Sequence, residues 1–324
     1  MHLLSLPQEL VAGIISKLPL PDVETLAQTF NRRVYDTCIP LITKRILARK
    51  HANRMVACFG DRRFESRLSR ATEEQAKLLG FESKDEICIP DDPPSFDHLS
   101  LDGELSWLEP LDEAMDGIME GYRRGPAAKE PGHLDRLVAD AEKLDLELPA
   151  GFVKFMRDEE LQYRLASAQA AYFTLGEGFR KCPSKIDKGN GGYFIRILAD
   201  QQWCYLWHLY LYPGKEKGHV VVGSGGDVHG DLEDTELLEY GVATQEEIDQ
   251  ANKEGFPLAS VTEGDICLET CSFEEFLATT YYEELLWFVL FDDAEVTQGL
   301  RDYVANTYRK KKDGKAEETK SAST

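Results

Sequence analysis

Residues 202–212, QWCYLWHLYLY, constrain this chain more than any other stretch. Rich in aromatic residues and free of Gly and Pro, they read as a β-strand. Successive side chains of a strand face opposite ways. One face therefore carries Trp203, Tyr205, Trp207, Leu209 and Leu211, and the other Cys204, Leu206, His208, Tyr210 and Tyr212. Neither face is polar. Such a strand either runs through the middle of a sheet covered on both sides or leaves one face open as a binding surface. Its flanks favour a sheet. Residues 191–199, GGYFIRILA, alternate around Arg196, Asp200-Gln201 forms a turn, residues 213–218 form a hairpin loop and residues 219–223 a third strand. This pattern is an antiparallel meander. Residues 168–175 are also strand-like, as is the segment around Ile266 and Leu268.

Helical periodicity surrounds these strands. Leu105, Leu108, Leu111, Met115, Ile118 and Met119 predict a helix over 104–122, and Leu134, Leu137, Val138, Ala141 and Leu144 another. Pro149 opens a short helix with Phe152, Val153, Phe155 and Met156. Ser272 is an N-cap with Glu275 at the capping-box position. Residues 283–290, EELLWFVL, are helical or extended, and residues 294–308 close as an amphipathic helix through Val296, Leu300, Val304 and Tyr308. The expected fold class is α+β, an antiparallel sheet packed by helices, preceded by a small helical module.

That module occupies residues 1–50. Ser5 and Gln8 fit a capping box, and Leu10, Ile14 and Leu18 recur every fourth residue with Val11 and Ile15 beside them. The stripe is wide enough to face both inward and outward. Pro19 and Pro21 stop this helix, and Asp22 caps a second with Val23, Leu26, Ala27 and Phe30. A third, with Val34, Tyr35, Cys38 and Ile39, is expected to break near Pro40, and Leu41, Ile42, Ile46 and Leu47 continue on a fourth. So few residues bury too little surface to offset chain entropy alone, so the module is expected to lean on a partner. Residues 51–132 read as a helical connector with loops, 133–308 as the α+β domain and 309–324 as a disordered basic tail.

Net charge is −21, from 37 basic and 58 acidic residues. Residues 1–75 are net +4, residues 76–308 net −28 and the tail net +3. This balance argues against phosphate-driven nucleic-acid binding and against docking on an anionic membrane, and points to a basic protein partner. No apolar run is long enough to span a bilayer, and the N-terminal region lacks the basic lead and uninterrupted core of a signal peptide. Seven scattered cysteines, without a C-x-x-C pair, indicate a reducing compartment, cytoplasm or nucleus.

Catalytic signals are thin. Residues 223–231, GSGGDVHGD, could cradle an anion or hold a cation through Asp227, His229 and Asp231, but the loop lacks the lysine and following helix of a phosphate loop. Cys204 and His208 lie ~13 Å apart along a strand, too far for a nucleophile–base pair. Cys267 and Cys271 would meet on a helix but not on a strand. A hydrolase using Cys204 or His208 is therefore the weakest reading, and no cofactor or metal is expected.

Two resemblances add to these readings. Leu6-Pro7-Gln8-Glu9-Leu10, Ile14, Leu18-Pro19, Asp22 and Leu26-Ala27-Gln28-Thr29-Phe30 together resemble an F-box. This resemblance implies a helical hook that docks on the Skp-type adaptor of a cullin–RING (SCF) ubiquitin ligase, with Leu6, Pro7, Leu10, Ile14, Leu18, Pro19 and Leu26 at or beside the contact. Over 133–308, Leu148-Pro149 with Gly151-Phe152-Val153-Lys154-Phe155-Met156 is similar to the helix motif of the SUKH (Smi/Knr-type) superfamily, and the aromatic strands and the S-F-E-E-F-L helix at 272–277 are similar too. Arg157-Asp158-Glu159-Glu160 stands where many members have an acidic-Gly motif. Some fungal chains join the two parts in this order. The resemblance implies a non-catalytic protein-binding subunit that presents a substrate for ubiquitination, or a regulatory scaffold working outside a ligase.

Overall fold

In the computed structural model, residues 7–308 are described, apart from 17, 19, 29–30, 61–65, 90–93, 95, 97, 231 and 293. The fold is α+β, with thirteen α-helices and six strands among the described residues. Three helices open the chain: α1 (Gln8–Ser16), α2 (Leu20–Ala27) and α3 (Arg32–Phe59). Five more precede the sheet: α4 (Glu73–Leu78), α5 (Glu113–Glu120), α6 (His133–Lys143), α7 (Ala150–Arg157) and α8 (Glu159–Tyr163). The strands are β1 (Tyr172–Phe173), β2 (Arg180–Lys181), β3 (Tyr193–Ala199), β4 (Leu206–Tyr212), β5 (Gly218–Ser224) and β6 (Ile266–Thr270). Helix α9 (Ser184–Asp187) follows β2, and α10 (Asp234–Glu239) and α11 (Gln245–Glu254) separate β5 from β6. Helices α12 (Phe273–Phe291) and α13 (Gln298–Thr307) complete the order.

The named strands pair antiparallel in the order β1-β3-β4-β5-β6, with β2 also on β3. The meander β3–β4–β5 is its centre, and Tyr212 pairs with Gly218 across the predicted hairpin. β4 begins at Leu206, later than periodicity predicts. Asp200 explains the difference: its carboxylate accepts from Cys204 N at 2.8 Å and its N–H donates to Tyr205 O at 3.0 Å, closing a tight turn over 200–205. Trp203 sits in that turn at φ +60°, a backbone region unfavourable for a bulky residue. Its indole is held by Tyr172 Oη at 2.8 Å and lies over Arg196 at 4.6 Å.

Both faces of β4 are covered. Leu209 and Leu211, with Ile195 and Val221, belong to a core built by α6, α7, α12 and α13. Tyr210 and Tyr212, with Phe194, Val220 and Val222, belong to a second core closed by α3, α9, α10 and α11. Helix α12 buries thirteen of its nineteen residues, as a helix with apolar residues on all sides must, and it runs unbroken through 283–290. Ser272 Oγ caps it by accepting from Glu275 N at 3.1 Å. Leu68, Ala71, Ala76, Leu79, Phe81 and Phe96 join the first core from within residues 51–132. The predicted helix over 104–122 is confined to α5, with Leu105 and Leu108 buried in the loop before it.

Helix α3 corrects the expected break at Pro40. It runs 28 residues through that proline. An interior proline costs a helix about 3 kcal/mol through a lost hydrogen bond and a ring clash. Here both ends are anchored. Val34 and Cys38 lie in a small core with Val11, Ile15 and Val23, while Met55 and Phe59 lie under the sheet. Phe59 meets Tyr210 edge-on at 4.9 Å. His51 Nε2 donates to His219 O at 3.1 Å, which leaves Nδ1 to accept from Tyr212 Oη at 2.8 Å. Arg54 stacks 4.3 Å from the Tyr212 ring centre. No helix among the described residues is long and apolar enough to cross a membrane.

If α3 is a structural cover of the sheet, Phe59→Ala destabilises the protein by about 3–5 kcal/mol in urea unfolding, as expected for a buried aromatic. A loss below about 1 kcal/mol contradicts this packing.

Candidate functional site

Two surfaces invite function. The first is on the N-terminal helices. On α1, Val11 and Ile15 are 0% exposed, whereas Leu10 is 55% and Ile14 44% exposed. Neighbouring positions on a helix lie 100° apart, so a pair at i, i+4 can turn outward while the pair beside it turns inward. Leu18 and Leu26 are half-buried against the small core, and Pro7 is exposed. Leu6 and Pro19, the other residues of the expected contact, lie outside the described residues, as does the tail from 309. Arg45 of α3 closes the end of α1 by donating to Leu18 O and, at 2.6 Å, to Ser16 O, so a cation satisfies the carbonyl end of the helix. Asn31 Oδ1 caps α3 by accepting from Val34 N at 3.2 Å. Further exposed apolar residues on α3 are Tyr35, Ile39 and Leu47.

The second surface is a cavity of about 340 Å³ beside the first core. Trp207 forms one wall. It is the one half-exposed residue of β4, whose other six residues are buried. A bulge in β3 between Arg196 and Leu198 lies opposite this position, and bulges re-aim the side chains around them. Phe173 and Phe276 add apolar wall, and Arg67, Arg123, Arg124, Glu269, Glu283 and Glu284 bring charge. Glu283 is buried and accepts from Arg67 N at 3.1 Å, from Tyr303 Oη at 2.7 Å and from Tyr308 Oη. Burial raises its pKa, against the pull of those three donors. Glu284 accepts from Ala168 N at 2.5 Å and pairs with Arg67 at 3.4 Å, and burial raises its pKa also. Glu269 accepts from Tyr205 Oη at 2.8 Å. Gly223 makes room for that phenol: a Cβ there would fall 2.1 Å from it.

The loop after β5 is held from beneath by charge. Arg196 pairs with Asp227, and His208, fully buried, lies 3.8 Å from the same carboxylate, beyond hydrogen-bond reach. Burial opposes ionisation of Asp227, but His208, Arg196 and the His229 N–H together hold its pKa well below the usual carboxylate range. Burial lowers the pKa of His208. His229 Nε2 accepts from Arg196 N at 3.4 Å, and its ring fills the space a Cβ on Gly176 would need, at 2.5 Å. Asp227 and His229 thus anchor the loop, and among the described residues no three His, Cys, Asp or Glu side chains are grouped to hold a metal ion; Asp231 lies outside those residues.

Cys204 and His208 are not brought together. Cys204 is exposed in the turn, its thiol 3.8 Å from Gln202 O, while His208 is sealed inside the sheet. Cys267 lies on β6 with its thiol 3.1 Å from Tyr205 Oη, and Cys271 lies just past that strand. Of the cavity's cations, Arg67 stands in the stretch read as connector, and Arg123 and Arg124 stand in a stretch read as loop, where no local pattern points to a site beyond the Arg pair itself, RRG at 123–125 within a strongly acidic region. Comparison with protein-family models, curated proteins and solved structures returns no match.

Burial pushes the pKa of His229 down to about 3, from an ordinary 6.5, although Asp227 pulls the other way. Below pH 6.5 the unfolded chain takes up a proton that the native ring refuses until about pH 3, so this group removes stability as pH falls through that window. His229→Gln deletes this dependence. Thermal midpoints measured at pH 7 and pH 5 should drop less in the variant than in the wild type; equal drops contradict the burial assigned to this ring.

Proposed function

We propose that this chain is an F-box-type adaptor. Its N-terminal helices dock on a Skp-type adaptor of a cullin–RING ubiquitin ligase, and the remainder holds a protein substrate for ubiquitination. The observation that carries this reading is the division of α1. Val11 and Ile15 build the small core, so Leu10 and Ile14 remain free to enter an apolar groove on the adaptor. Burying each would contribute about 1.5–3 kcal/mol. Helix α3 supports the reading as well. At 1.5 Å per residue its 28 residues span about 42 Å. Anchored at both ends, it holds the adaptor-facing helices at a set distance from the sheet, as a ligase needs if it is to present a substrate. In this role the chain binds and positions; it does not itself catalyse. The seven cysteines are unpaired, which accords with a place in the cytoplasm or nucleus.

The test is a pull-down of the full chain with purified Skp-type adaptor. Leu10→Asp with Ile14→Asp removes two apolar contacts and brings two charges into their place. The double variant should lose at least ~100-fold in affinity, from about 3–6 kcal/mol of lost burial. Both positions are exposed, so its thermal midpoint should stay near that of the wild type. Equal retention of wild type and variant, or of neither, contradicts the docking surface.

A further inference from the structure

We propose that the cavity beside Trp207 binds the C-terminal end of a polypeptide, with the terminal carboxylate at Arg124 and an apolar last side chain against Trp207, Phe173 and Phe276. The inference rests on the reading of this part of the chain as the protein-binding half of an adaptor, and it specifies what that half recognises.

Most charges in the wall are already used. Glu283 takes three donors, Glu284 takes Ala168 N and Arg67, and Glu269 takes the Tyr205 hydroxyl. Arg123 is paired with Asp116 and lies over the Tyr163 ring. Arg124 differs from all of these. Its guanidinium lies 5.8 Å from the Tyr172 ring centre, and no carboxylate among the described residues pairs with it. A guanidinium stays charged at every physiological pH. One uncommitted cation thus stands at the mouth of a cavity in a region of net charge −28, where acidic side chains are abundant. Trp207 is the second group left open. Its indole N–H meets no acceptor among the described residues, and it belongs to the one residue of β4 that the fold leaves half open. Both uncommitted groups are donors, so the occupant must bring acceptors.

Size and wall chemistry narrow the class. A cavity of about 340 Å³ takes one or two residues rather than a helix. A phosphorylated side chain calls for a cluster of arginines, and only one here is uncommitted. An internal Asp or Glu would satisfy Arg124 but leave the aromatic wall without a partner. A chain end carries both features at one residue: a carboxylate with two acceptor oxygens and an adjoining apolar side chain. The carboxylate would accept from Arg124, and the indole N–H would take a second acceptor from the terminal peptide unit.

The probes are fluorescein-labelled octapeptides of neutral Gly-Ser sequence ending in Phe, Leu or Val, each made as the free acid and as the C-terminal amide. Their binding to the full chain is read by fluorescence anisotropy. At least one free acid should bind saturably, its amide at least ~10-fold more weakly, as expected for loss of a charge-assisted hydrogen bond. Arg124→Ala should weaken the free acid by a similar factor and erase the acid–amide difference. Arg124 is exposed, so the variant should keep the wild-type thermal midpoint, which serves as the folding control. Equal binding of acid and amide, or no saturable binding of any free acid, overturns the proposal. So does binding of indole-3-acetate alone with every free-acid peptide failing, which would assign the cavity to a small aromatic acid. The peptides are read on the chain by itself, without adaptor. Failure here leaves adaptor docking standing, and failure of docking leaves the peptide result intact.

Discussion

Leu209 and Leu211 point into one core while Tyr210 and Tyr212 point into another, so a single layer of helices could not shield β4. This two-sided burial is the constraint from which the other layers follow. The first face recruits α6, α7, α12 and α13, and α12 is in turn buried on nearly every side. The second face has only short helices of its own in α9, α10 and α11, and the C-terminal half of α3 completes its cover. A helix that begins in the N-terminal module thereby ends as part of the main core. That double duty explains why it tolerates Pro40: buried side chains near both termini outweigh the local cost of one missing hydrogen bond.

Much of this was legible in the sequence, and the misses have physical reasons. Alternation along 202–212 identified the central strand and its two faces, because a period of two with no polar face has few alternatives. It overran the start of β4, since Asp200 closes a turn whose cost to Trp203 no hydrophobic pattern reveals. The break expected at Pro40 followed local propensity, which packing at positions 55 and 59 overrode. The split of the α1 stripe into a buried and an open pair was anticipated from its width alone. The cavity was not, because Arg67, Arg123 and Arg124 come together from two distant stretches and nothing local links them.

The two surfaces differ in kind. The open pair on α1 is apolar and stands exposed on a small module. The cavity is concave, roofed by α12 and β1, and its free groups are donors. Net charge sharpens the contrast. Residues 1–75 are positive and residues 76–308 strongly negative, with Arg124 a local cation on the larger part. Under the loop after β5, by contrast, Asp227 pairs with Arg196 and His229 accepts from the Arg196 N–H, and these contacts fix that loop.

The join between the small core and the sheet depends on α3 being one continuous element that connects its two anchor points. Native-state hydrogen exchange of the backbone amides tests this directly. If α3 is clamped between the small core and the sheet, amides at 44–59 exchange as slowly as those of β4, including the stretch just past Pro40. Exchange of residues 44–50 at the rate of an open loop, with only 51–59 protected, would mean that the two halves are hinged at the proline and that the spacing between the N-terminal helices and the sheet is not fixed.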